Sequence, residues 1–117
     1  MKYHPDGWKL VKMTNLNSET HYRVFAVWRG GYLSGDSWKL NSGVTEATFN
    51  DLAYEFTGSS GSIYHCNIDS YGLSYYGESV LDNLIEKYKD SVTIEPLKKE
   101  EMIQIVKSKF NAGPQEN

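Results

Sequence analysis

The stretch Tyr54-Glu-Phe-Thr-Gly-Ser-Ser-Gly-Ser-Ile-Tyr-His-Cys66 decides the fold class. On both sides of Gly58-Ser-Ser-Gly61, apolar and polar residues alternate, which is the period of an extended strand rather than of a helix. A four-residue loop at Gly58 to Gly61 predicts the pairs Thr57 with Ser62, Phe56 with Ile63, Glu55 with Tyr64 and Tyr54 with His65. Side chains alternate across a strand, so this register places Tyr54, Phe56 and Ile63 on the core face. It places Glu55, Tyr64 and Cys66 on the other face and His65 at the edge of the core.

Working towards the amino terminus, the same short alternation recurs in Trp8 to Met13, Tyr22 to Trp28, Leu33 to Leu40, Val44 to Phe49 and Leu52 to Thr57. Gly30-Gly31, Asn41-Ser-Gly43 and Asn50-Asp51 separate these runs, because Gly, Asn and Asp tolerate positive φ or bond their own backbone. Towards the carboxyl terminus the period changes. Leu81, Leu84, Ile85 and Tyr88 recur at helical spacing, and Ser79 with Asp82 resembles a capping box, which predicts a helix from about Val80 to Asp90. Val92 to Glu95 reads as an extended link or edge strand. Beyond Pro96, Met102, Ile103, Val106 and Phe110 mark the buried stripe of a second helix from about Lys98 to Phe110. The expectation is an α+β fold, an antiparallel β-meander of five to six strands packed against two C-terminal helices. Residues 1–110 would form one domain and 111–117 a flexible tail.

The composition limits what such a domain can do. A chain of 117 residues supports one modest core, and its sixteen aromatic residues supply much of the bulk. One cysteine, Cys66, excludes an intrachain disulfide and a thiolate metal cluster, and no spacing of His4, His21 and His65 points to a metal. No segment approaches the roughly 20 apolar residues of a membrane-spanning helix, so no membrane partner is expected. A net charge of −3 argues against direct nucleic-acid binding, which draws its affinity from Lys and Arg on phosphates. No cofactor motif is present. Gly58-Ser-Ser-Gly61 and Gly30-Gly-Tyr-Leu-Ser-Gly35 lack the Lys-Ser/Thr ending of a phosphate-binding loop.

The charge is unevenly spread. Gly30 to Asp82 holds Asp36, Glu46, Asp51, Glu55, Asp69, Glu78 and Asp82 against Lys39 alone, a local net charge of −6. That segment also carries most of the aromatic residues, the mixture expected of a surface that receives a basic partner. Glu78, Asp82, Glu86 and Asp90 recur at i, i+4, so their carboxylates would stand roughly 6 Å apart along one helix stripe. A solvated helix face explains the same spacing. Tyr71, Tyr75 and Tyr76 lie among Ser and Gly in Asp69 to Gly77, a composition favoured in binding loops. Sheet-capping rings account for it equally well. The candidate partner-binding residues are thus Asp36, Asp69, Tyr71, Tyr75, Tyr76, Glu78, Asp82 and Glu86, with no catalytic residue assigned. Trp8, Trp28 and Trp38 read as core, with Trp38 an anchor for a basic partner if it faces outward. The alternatives are a small hydrolase using His65 with Asp69 or Glu55, and a small-ligand or nucleotide-binding domain using the Gly- and Ser-rich loops.

The runs Tyr32-Leu-Ser-Gly-Asp-Ser-Trp-Lys-Leu-Asn-Ser-Gly43, Gly61-Ser-Ile-Tyr-His-Cys66 and Ser70-Tyr-Gly-Leu-Ser-Tyr-Tyr-Gly77 resemble small accessory proteins of tailed bacteriophages. The resemblance covers about the middle half of the chain and transfers no functional residue. It implies a viral protein acting in the cytoplasm of a bacterial host. Its expected role is to bind and inhibit a host protein with a basic surface, such as a nucleic-acid-handling defence effector of the kind targeted by anti-CRISPR or anti-restriction proteins. A homo-oligomer remains compatible with that reading.

Overall fold

The computed structural model describes residues 1–114. Among these residues, eight strands run in chain order with three α-helices: β1 (Lys2–Tyr3), β2 (Gly7–Asn15), β3 (Thr20–Trp28), α1 (Gly31–Ser34), β4 (Ser37–Leu40), β5 (Val44–Asn50), β6 (Ala53–Gly58), β7 (Ile63–Asn67), α2 (Tyr75–Tyr88), β8 (Val92–Pro96) and α3 (Lys99–Phe110). The fold is α+β, with strands that are antiparallel except for the parallel pair β1 and β7, packed against two C-terminal helices. The strands divide into two four-stranded sheets, one ordered β1-β7-β6-β5 and the other β4-β3-β2-β8. The chain passes between the sheets three times: between β1 and β2, at Asn41 to Gly43 between β4 and β5, and through α2 between β7 and β8.

The β2–β3 sheet is covered on both faces, which is why its strands are apolar on both faces. Trp8, Leu10, Tyr22, Val24 and Ala26 face Tyr54, Phe56, Tyr64 and Cys66 of the opposing sheet, with Met102 and Val106 of α3 in the same core. Val11, Met13, Phe25, Val27 and Ile94 point the other way, against Leu81, Leu84 and Ile85 of α2. Trp8 is fully buried, with Tyr54 and Phe56 rings at 6.0 and 5.5 Å, and its indole N–H donates to the Asn67 carbonyl at 2.7 Å. The outer face of the β5–β7 sheet, by contrast, is open to solvent and polar.

The register of the β6–β7 hairpin differs from the expected one by one residue. Thr57 pairs with Ile63, Phe56 with Tyr64, Glu55 with His65 and Tyr54 with Cys66. The turn is Ser59-Ser60-Gly61: the Gly58 N–H donates to the Ser62 carbonyl at 2.8 Å, and Gly61 takes φ +93°. A slip of one residue reverses every side chain of β7. Tyr64 and Cys66 therefore go inward and Ile63 and His65 outward, and the observed register buries a tyrosine ring where the other would bury a histidine.

Other boundaries also move. Only the second half of Leu33 to Leu40 is a strand. Leu52 leaves its strand for a turn in which Asp51 and Leu52 both have positive φ, 49° and 70°. The first helix begins five residues earlier than the Ser79–Asp82 pattern predicts, because Ser74 caps it by accepting the Gly77 N–H at 3.3 Å. Ser74 ends the Gly-rich crossing, so the cap falls where the chain turns over the sheet. The second helix starts as expected, with the Glu101 carboxylate accepting the Lys98 N–H at 3.0 Å. Of the anticipated tail, Ala112 packs into the core and Gly113 lies near the Tyr54 hydroxyl; residues 115–117 lie outside the described residues.

Candidate functional site

The candidate residues differ in what surrounds them. Tyr71 is a structural pin: its hydroxyl donates to the Leu97 carbonyl at 2.7 Å and accepts the Leu10 N–H at 3.1 Å, and its ring stands edge-on to Trp8 at 4.7 Å. Burial pushes its phenol well above the ordinary range. Ring and hydroxyl are thus both committed to joining β2, the crossing and the start of α3. Glu86 pairs with Lys89 at 2.7 Å on the exposed side of α2, and Glu78 stands 3.6 Å from Lys9. Asp82 is exposed, and among the described residues neither it, Asp36 nor Asp69 forms an ion pair.

What the fold does assemble lies at one end of the β2–β3 sheet. There the first residue of β2, the last of β3, the crossing Asp69 to Ser74 and the start of α2 meet. The Gly72 N–H donates to the Trp8 carbonyl at 2.8 Å, and the Arg29 N–H donates to the Asp6 carboxylate at 2.7 Å. A Cβ on Gly7 would stand 2.7 Å from the Gly72 carbonyl oxygen, so glycine is needed for the two backbones to approach. Asp6, Arg29, Asp69, Ser70 and Ser74 line a polar cleft at this junction. Asp69 is fixed there by the Asn67 side chain, which accepts its N–H at 2.8 Å.

Large exposed side chains follow two of the cleft residues in sequence. Tyr75 follows Ser74 directly and is 92% exposed, while Tyr76 beside it is half-buried. Tyr32 and Leu33, fully exposed, project on the single helical turn α1, a feature the strand reading of Leu33 to Leu40 missed. Gly31 and Gly35 flank α1 at φ +68° and +69°. Tyr32 lies three residues beyond Arg29, so their Cα atoms stand at most roughly 11 Å apart. Asp36 follows the same turn. The available signal was Gly-Gly before and Gly after a Tyr-Leu pair, which marks a protrusion rather than a strand. Asp82 and Glu86 stand farther off, Glu86 roughly 16 Å along the helix from Tyr75. Trp38 is 38% exposed, stacks on Phe25 at 5.6 Å and lines an apolar groove with Leu40, Leu84 and Tyr88, away from Asp36's turn.

A second polar group occupies the outer face of the other sheet. His65 and Glu55, side by side across β6 and β7, share a hydrogen bond of 2.9 Å between Nδ1 and Oε2. Lys2 closes an ion pair on the same carboxylate oxygen. The Lys2 and His65 bonds hold the Glu55 carboxyl below its ordinary range. The hydrogen bonds of the described residues bring no hydroxyl or thiol to this imidazole. Asp69 lines the cleft at Arg29 instead. Cys66 is buried on the opposite face, its thiol pushed up by desolvation. Of the two carboxylates in the hydrolase alternative, Glu55 is thus the one bonded to His65.

No helix among the described residues is long and apolar enough to cross a membrane. Among the same residues, no group of three His, Cys, Asp or Glu side chains is arranged around a common metal position. No family model, curated protein or solved structure matches the chain.

Proposed function

We propose that this chain is a noncatalytic binding protein that docks its Tyr32–Tyr75 end on a basic surface of a host protein and inhibits that protein by occlusion. The phage-type resemblance of the sequence supplies the setting, and a nucleic-acid-handling defence effector is the class of partner with such a surface. One observation carries the reading: Tyr32, Leu33 and Tyr75 are almost wholly exposed, close in sequence to Arg29 and Ser74, which line a cleft with Asp6 and Asp69. Exposed Tyr and Leu side chains gathered at one end mark a contact surface, since aromatic anchors supply much of the energy at interfaces. The carboxylates Asp36 and Asp69 speed encounter with a cationic surface, and the buried rings set how slowly the complex parts.

Capture from bacterial lysate by the tagged full chain tests this, with two substituted chains run in parallel. A partner retained by the wild type at low salt should be lost with Tyr32→Ser/Leu33→Ser/Tyr75→Ser and kept with Glu86→Gln, whose carboxylate is engaged by Lys89. Retention of the same partner by the triple variant would sink the proposal.

A further inference from the structure

The outer face of the β5–β7 sheet brings two imidazoles together in a way the docking end does not use. The parallel pairing of β1 with β7 sets Lys2 beside Ile63 and Tyr3 beside Tyr64, and just beyond it the His4 ring lies beside that of His65. Their ring centroids lie 5.0 Å apart, with planes inclined by 41°. Two imidazoles bound to one ion at about 2.0–2.1 Å, with N–metal–N angles of about 90° to 109°, have ring centres about 4.6 to 5.3 Å apart. The observed spacing falls inside that interval.

The His65 ring and the backbone that carries His4 are held before any ion arrives. The His4 carbonyl accepts the Trp28 indole N–H at 3.0 Å, and Tyr3 is wedged between the Tyr64 and Trp28 rings at 5.0 and 6.0 Å. His65 is fixed by Glu55 at Nδ1, which leaves Nε2 as its free ligand atom. A carboxylate on the far ring nitrogen is the partner that metal-bound histidines usually have, because it sets the tautomer and raises the basicity of the ligating nitrogen. Glu55 is anchored in turn by Lys2, whose ammonium offsets the charge of the carboxylate.

We infer that His4 and His65 form a bidentate site for a divalent transition-metal ion, with Glu55 orienting His65 from behind and water completing the coordination. Two imidazoles without a thiolate favour copper(II) over zinc and nickel. The ion ties the amino-terminal arm to β7 and leaves coordination positions open towards solvent.

Titration calorimetry of the full chain with copper(II) and zinc(II), in a weakly coordinating buffer, tests this. The expected result is one ion per chain, bound at least tenfold more weakly by His4→Ala and by His65→Ala. Glu55→Gln should weaken binding about tenfold while keeping both ligands, and His21→Ala should bind as the wild type does. Melting without metal reports whether each variant folds. Copper(II) broadening of imidazole NMR signals in the unaltered protein needs no variant: His4 and His65 should broaden together and His21 should not. Broadening of one ring alone, equal broadening of all three, or unchanged affinity in either alanine variant would overturn the site.

Discussion

Glu55 shows how much one carboxylate decides here. It receives Lys2 and His65 on one oxygen, and its lowered folded-state pKa makes it a source of stability with a defined pH window. That stability is fully present above the unfolded value of about 4.3 and is lost as pH falls through the lower folded value, since below both the group is protonated in either state. Glu55→Gln should therefore flatten the fall of the urea midpoint between about pH 5 and pH 3. Parallel curves for the two proteins would mean that solvent screening of this partly exposed group leaves the pair adding nothing. Tyr71 carries the opposite lesson. Its Ser- and Gly-rich context reads as a binding loop, yet the ring is packed and the hydroxyl bonded at both of its roles. Composition cannot tell a presented tyrosine from an anchored one, because the two differ only in what lies across from them.

Among the elements, α2 is set by Ser74 at its start and by Gly77 where it crosses β3. A Cβ at Gly77 would stand 2.9 Å from Val27 Cγ1 and 3.1 Å from Leu73 Cβ. Alanine improves helix propensity by about 1 kcal/mol, whereas forcing a methyl into a packed contact costs about 1–3 kcal/mol. Gly77→Ala should accordingly destabilise the protein by about 1 kcal/mol net, measured by denaturant melts. A rise in stability would show that the helix can shift away from the sheet. The β6–β7 hairpin was legible as a hairpin but not in its register. Alternation places residues on two faces and leaves open which face is buried. A three-residue turn closed by Gly58 and Ser62 made that choice, and His65 came outward with it.

Across the whole molecule, the β2–β3 sheet is the element both cores share. Trp8 and Leu10 on one face and Val11 and Phe25 on the other are buried, so neither core survives loss of that sheet. Tryptophan fluorescence and far-ultraviolet circular dichroism should therefore report one coincident unfolding transition, and Trp8→Ala should cost about 3–5 kcal/mol in both signals. Two separated transitions would show that the cores melt independently. The alternation of strands, the helical periods of the last forty residues, the aromatic weight of the core and the uneven charge were all written in the sequence, because they depend on neighbours along the chain. The division into two sheets, the parallel seat of the amino-terminal strand, the meeting of His4 with His65 and the exposure of Tyr32 and Tyr75 came only with the tertiary structure. Each depends on residues tens of positions apart, and their distances are set by packing rather than by local preference.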